Sequence, residues 1–338
     1  MHKALFIAIQ IVLTITVFSA CSKEENLSTS DKIYVNVLFT PESFCDIGYN
    51  DITLKAIETH SHTYGYEYSF CVPETMEDGM EYYKSWCKAD LDDGITRSLF
   101  VFASNLYDEP LSQAPHPTDS RKDILIFEVE KELPYAYTFA MTYYGASYMI
   151  GSYYLKLMPF DFQIVAANPY LEGLCEVTDG FTDATQDASC GSITIGYINE
   201  SPNEGLDYDD TAFFICKEMY HLNQDHTNIF IPYAGLSNLG VYRFSQSNHQ
   251  TAVGMDCIDP DSFSYIYLSM NKKMDLALDE FLQRWVKGDE IPPYTFYTLA
   301  SGKVVVDRAS TLSTDSEILD ELLEQAIAKE KEYYQNRK

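Results

Sequence analysis

The chain alternates short apolar runs with helix-length amphipathic stretches. Strand-like runs fall at Ile33 to Phe39, Leu99 to Ala103, Ile124 to Val129, Phe162 to Ala167, Ile193 to Ile198, Ile229 to Tyr233 and Ala252 to Met255. Short, near-continuous apolar runs bounded by polar segments suit strands buried on both faces, as in parallel sheets covered by helices. Helices are predicted between them. One is capped by Asn50 and carries Ile52, Ala56 and Ile57; others run over Ala146 to Leu157, Thr211 to Leu222 and Leu239 to Ser247. From Lys273 to Lys287, Met274, Leu278, Phe281, Leu282 and Trp285 recur at helical spacing. The last stretch, Ser316 to Lys338, gathers Ile318, Leu319, Leu322, Leu323, Ala326 and Ile327 on one face, the pattern of a docked surface helix. So many strand–helix units exceed one comfortable open sheet, and two doubly wound α/β lobes are expected.

Composition narrows what such a body can do. The 338 residues include 51 Asp+Glu against 23 Lys+Arg, a formal charge of -28, yet 46% are hydrophobic. That apolar share builds real cores and excludes an acidic disordered chain. The charge opposes nucleic-acid binding, which needs a basic face for the phosphates. It leaves a small-molecule ligand open, because a local site can differ from the net. The 27 Tyr supply flat faces with polar tips.

The first twenty residues are read as an address. Lys3 precedes an apolar run from Ala4 to Phe18, and Ser19-Ala20-Cys21 closes it. The run falls short of the ~20 residues a spanning helix needs, so it reads as a secretory signal. Val17 to Cys21 resembles a bacterial lipobox, which implies acylation of Cys21 and anchoring to a membrane by lipid. Ser22 rather than Asp follows the cysteine, which leans towards an outer membrane, periplasmic or surface-facing, over an inner one. Glu24 to Lys32 is a polar tether. Seven cysteines remain, an odd number without a C-x-x-C pair; Cys175 and Cys190 are near enough in sequence to pair, while the commoner role is that of small buried hydrophobes. His60, His62, His221 and His226 lack metal-site spacing, and no P-loop, G-x-S-x-G or G-x-G-x-x-G occurs. No cofactor, metal or enzymatic activity is expected.

Candidate chemistry sits beyond the carboxyl ends of the predicted strands, where open parallel sheets bind ligands. After the first run come Asp46, Tyr49 and Asn50; after Leu99 to Ala103 comes Asn105; after Ile229 to Tyr233 comes Gly235; after Ala252 to Met255 comes Asp256. Asp46-Ile47-Gly48-Tyr49-Asn50-Asp51 resembles the D-x-G-F-N-D element of the basic membrane proteins, lipoprotein solute-binding components of bacterial ABC importers that include nucleoside receptors. Ala234 to Val241 resembles that family's A-G-G-T-G-x-G-V turn, Gly254-Met255-Asp256 its G-V-D, and Leu268 to Ala277 its T-S-x-x-K-x-V-D-x-A. Gly145 to Gly151 resembles its G-S-Y-L-A-G helix start, and Gly180-Phe181 a G-F step.

The resemblance implies a type I periplasmic-binding-protein fold, two Rossmann-like lobes around a ligand cleft. The implied lobes are 32–140 with about 256–290, and 141–255 with about 291–338, behind the signal at 1–20 and the tether at 21–31. It implies that Asp46 and Asn50 bond the ligand, Tyr49 stacks on a base, and Asp256 accepts from sugar hydroxyls. Lys272 would donate to the ligand or hold Asp256, Gly235 would admit the backbone closely, and Asn105 would read the base. A nucleoside suits this set, and a sugar also suits its carboxylates and Tyr49. Two departures stand out. Leu236 and Ser237 replace small residues of the turn, and Asn199-Glu200-Ser201 lacks the second stacking aromatic, for which Tyr197 or Tyr208 would have to substitute. An ABC permease is the implied partner. The alternative is a lipoprotein that senses a sugar-like ligand or docks a partner without transport.

Overall fold

A computed structural model describes residues 32–41, 49–92, 94–202, 204–256 and 258–337. The expected lipidation site Cys21 and the expected ligand contact Asp46 lie outside the described residues, as does the side chain of Tyr49.

Twelve strands form two six-stranded sheets among the described residues. The first sheet contains β1 (Lys32–Leu38), β2 (Glu67–Cys71), β3 (Ile95–Phe102), β4 (Lys122–Phe127), β5 (Tyr137–Met141) and β11 (Tyr294–Tyr297), in the order β11-β5-β4-β3-β1-β2. Every pairing in it is parallel. The second contains β6 (Asp161–Ala166), β7 (Ser192–Tyr197), β8 (Asn228–Tyr233), β9 (Thr251–Asp256), β10 (Ile266–Lys272) and β12 (Val304–Arg308), in the order β12-β10-β9-β8-β6-β7. Only β12 runs antiparallel to its neighbour.

The central strands explain their own position. All six residues of β6 are buried, and Leu99 to Phe102 of β3 are fully so. Such strands are covered on both faces, which requires helices above and below each sheet. Helices α1 (Tyr49–Tyr64), α2 (Met76–Lys88), the short α3 (Asp108–Ser112) and α8 (Met274–Lys287) serve the first sheet. Helices α4 (Tyr144–Leu157), α5 (Leu174–Ala188), α6 (Asp209–Leu222), α7 (Asn238–Asn248) and α9 (Ser316–Gln335) serve the second. The apolar stripe predicted on α8 is its buried face; Trp285 is fully buried there and donates Nε1 to Asp123 Oδ2 of β4 at 2.8 Å. No described helix is long and apolar enough to cross a membrane.

The chain passes between the lobes three times: from β5 to α4, from β10 to α8, and from β11 to β12. Against the expected boundaries near 256 and 291, β10 lies in the second sheet and β11 in the first. Parallel pairing with β9 holds β10, and parallel pairing with β5 holds β11.

Two of the crossings meet under the end of α9. Glu330 is 2% exposed, and its carboxylate accepts from Thr142 Oγ1 at 3.1 Å and Gly145 N at 3.3 Å on the first crossing. Its other oxygen accepts from Leu299 N at 2.8 Å on the third. Gly145 permits this approach, since a Cβ there would stand 2.9 Å from the Glu330 carboxyl group. Burial pushes Glu330 from the ordinary 4.5 up to about 7, although its three hydrogen bonds pull it down.

Cys175 and Cys190 flank α5 at its two ends and are free thiols. At ~1.5 Å rise per residue the helix holds them roughly 20 Å apart, beyond the reach of a disulfide. Of the five described cysteines only Cys216 is fully buried, as expected of a small hydrophobe; against that expectation Cys71, Cys87 and Cys190 are part-buried and Cys175 is exposed.

Candidate ligand-binding cleft

Residues just past the carboxyl ends of parallel strands in both sheets line one cleft of about 1070 Å³. Its floor is built where the crossings bring strand ends together. Lys272, the last residue of β10, donates Nζ to Glu128 Oε2 of the first lobe at 3.0 Å. The same ammonium lies 4.0 Å from the centroid of the Tyr143 ring. Tyr143, between β5 and α4, donates its hydroxyl to Asp256 Oδ1 at 2.5 Å, and its backbone N–H to Glu176 Oε2 at 2.9 Å. Its ring meets Tyr233 edge-on at 5.4 Å.

Two residues of this floor have left-handed backbones: Glu128 at φ 57° and Asp256 at φ 63°. For residues other than glycine that conformation costs on the order of 1–3 kcal/mol and persists where the surroundings enforce it, often at functional sites. Each caps a strand end and turns a carboxylate into the cleft wall. Burial pushes the Glu128 carboxyl up, opposed by Lys272 and by its hydrogen bonds. Burial, then the neighbouring Asp256 charge, pushes the Tyr143 hydroxyl well up, so it stays a donor at neutral pH.

The structure brings Asn50, Asn105, Gly235, Asp256 and Lys272 to the same cleft. Their partners differ in part from expectation. Lys272 bonds Glu128, and it is Tyr143 that bonds Asp256. Asn105 spans the mouth, donating Nδ2 to Glu172 Oε2 of the opposite lobe at 2.6 Å. Gly235 has φ 56°, and a Cβ there would approach Leu206 at 3.2 Å, so its backbone can lie close to the wall. Leu236 also lines the cleft. Of the two tyrosines considered as stand-in aromatics, Tyr208 lines it, while Tyr197 packs against the core of the second lobe. Tyr143, Tyr170 and Tyr233 are further aromatics of the wall.

Glu128 and Tyr143 are the functional candidates that the sequence reading passes over. The apolar run continues through Val129, so Glu128 reads as strand interior, whereas β4 ends at Phe127. The rule that selected Asp256 at a strand end would have found it. Tyr143 carries no local signal beyond preceding the Gly145 helix start. A smaller hollow of about 700 Å³ shares Asp256 and Lys272 with the cleft and is otherwise walled largely by β12 and α9. Among the described residues, no group of three or more His, Cys, Asp or Glu is placed to hold a metal. His60 stacks on Tyr64 and bonds Tyr66.

No family model and no curated protein matches the sequence. Solved structures do match the fold. A solute-binding protein of an ABC transporter system from Aeropyrum pernix K1 superposes with a TM-score of 0.64 at 14% identity, over 89% of this chain and 86% of that one. The chain has the type I periplasmic-binding-protein fold. A transcriptional activator of the comK gene from Bacillus halodurans gives 0.63 at 14% identity, over 87% and 95%. An ABC transporter solute-binding protein from Agrobacterium vitis, bound with alpha-D-tagatopyranose, gives 0.59 at 12% identity, over 83% and 96%. The cleft described above lies between the two lobes, beside the crossings that join them.

Proposed function

We propose that this chain is a lipid-anchored solute receptor of the bacterial envelope, similar to the basic membrane proteins. It captures a small polar ligand by closure of the two lobes and presents it to an ABC permease. The observation that carries the reading is the cleft floor, where Lys272, Glu128, Tyr143 and Asp256 join both lobes through direct bonds. A ligand that exchanges bonds with this set couples its own binding to the lobe angle. The motif resemblance favours a nucleoside, whose ribose hydroxyls suit Asp256 and whose base suits a tyrosine face. Solute-binding neighbours described with sugars support a sugar as the alternative. Cys21 is the proposed lipid site and the outer membrane the proposed address.

Calorimetry against a panel of nucleosides and hexoses tests the ligand class, and silence across the panel would sink both classes. Asp256→Ala is expected to weaken a bound member by ~1–3 kcal/mol, because its hydrogen-bond partners lose their acceptor.

A second reading is sensing or partner docking without transport. One solved neighbour of this fold is described as a transcriptional activator, which favours keeping it. Measuring uptake of the bound solute by cells with and without this chain separates the two: uptake that is unchanged without it counts against transport.

A further inference from the structure

The receptor reading leaves the charge of the solute open, and the cleft wall speaks to it. The site itself rests on the inter-lobe cleft of a binding-protein fold; the charge balance only selects the occupant. Resting on that reading, we propose that the cleft takes a solute bearing a positive charge, of the class of amine-substituted polyols such as amino sugars and amino-nucleosides.

Among the described residues, the wall holds eight carboxylates and one ammonium, Lys272. Lys272 is engaged by Glu128, and Asp108 is engaged by Lys131 at the rim. The rest meet neutral donors where a partner is seen. Asp256 accepts from the Tyr143 hydroxyl, Glu172 from the Asn105 amide, and Glu204 from the Tyr208 hydroxyl at 3.3 Å. Among the described residues, no ion pair links Glu130, Glu172 or Asp256 to a basic side chain. Neutral donors solvate a carboxylate but leave its charge in place. Several uncompensated anions around one cleft focus a negative potential into it, which draws cations and repels anions.

Glu130 stands at the exposed side of this wall beside Glu172 and Glu176, with Lys272 partly offsetting their charge. Burial, then the charges of Glu176 and Glu172, push its carboxyl above the ordinary value. A cation entering beside these groups relieves their mutual repulsion, which a neutral sugar or nucleoside cannot do. The tyrosines add a second, independent attraction. Tyr170 and Tyr208 line the cleft with 64% and 44% of their surface exposed. Their faces are open to an ammonium, and Lys272 above the Tyr143 ring already makes that contact within the same cleft.

The test is calorimetry on the whole chain with two matched triads: glucosamine, glucose and glucuronate; and an aminodeoxyadenosine, adenosine and adenosine monophosphate. Within the triad that binds, the amine is expected to bind about tenfold or more tightly than its neutral counterpart, with affinity falling as salt is added. Glu130→Gln should lower the ratio of amine to neutral affinity about tenfold; if that variant does not fold, Glu172→Gln gives the same readout. Equal or tighter binding of a neutral or anionic member overturns the charge inference and leaves the receptor reading standing. Silence from both triads overturns the two together.

Discussion

Lys272 and Glu128 come from different lobes, lie at the ends of β10 and β4, and bond at 3.0 Å with side chains 7% and 18% exposed. Neither lobe can supply this pair alone. Lys272→Met removes the cation beside a largely buried carboxylate, a loss on the order of 3 kcal/mol where the site is dry. Urea unfolding should show that loss. The double variant with Glu128→Gln should recover most of it, because no buried charge then lacks its counter-ion. A double variant as unstable as Lys272→Met alone would show that packing, not charge, links the two lobes there.

Glu330 predicts a pH dependence with a definite sign. Its folded value of about 7 exceeds the ordinary 4.5, so the folded protein binds this proton more tightly than the unfolded chain does. The associated stability is complete below about pH 4.5 and is lost as pH rises through about 7, on the order of 3 kcal/mol in all. Scanning calorimetry between those limits should show a falling Tm in the native chain and a flatter profile in Glu330→Gln. A parallel profile in the variant would remove Glu330 as the source.

The Asn105–Glu172 bond latches the cleft mouth from an exposed position. An exposed hydrogen bond is worth about 1 kcal/mol. Asn105→Ala should therefore leave the unfolding midpoint nearly unchanged while shifting the lobes towards an open arrangement, seen as a larger radius of gyration by small-angle scattering. An unaltered scattering curve would mean that the latch does not hold the lobes.

Thiol labelling should follow burial. Cys175 is exposed and should react with a maleimide in the native protein, whereas Cys216 is fully buried and should react only after denaturation. Burial also pushes the Cys216 thiol up, which slows it further. Mass spectrometry of labelled peptides reads both. A Cys175–Cys190 disulfide in that experiment would require α5 to be broken.

What the sequence discloses follows from how each element is buried. Strands β1, β3, β6 and β8 are apolar on both faces and stand out as runs. Edge strand β2 (Glu-Tyr-Ser-Phe-Cys) is half-exposed and offers no run. Strand β10 is interrupted by Ser269, Asn271 and Lys272, all buried; Asn271 donates to Ile258 O and Asp307, and Lys272 to Glu128 of the other lobe. Helix α5 carries four threonine and glycine residues among its fifteen, and hides from propensity. It is stabilised instead by close packing on α4, where Gly180 comes against the Tyr144 carbonyl. The same distinction holds at the cleft. Asp256, Lys272 and Gly235 sit in recognisable local patterns, whereas their bonds to Glu128 and Tyr143 arise only when distant strand ends are brought together.

The three crossings also constrain the order in which the molecule can be completed. The edge strand of the first sheet, β11, ends at Tyr297, although the neighbour it needs, β5, begins at Tyr137. The covering helix α8 arrives equally late. A nascent chain therefore leaves β5 without this neighbour and an apolar face uncovered until Tyr297 has been synthesised. Such surfaces are where a nascent chain is most open to aggregation, so the topology itself delays protection of the first sheet until β11 and α8 are in place.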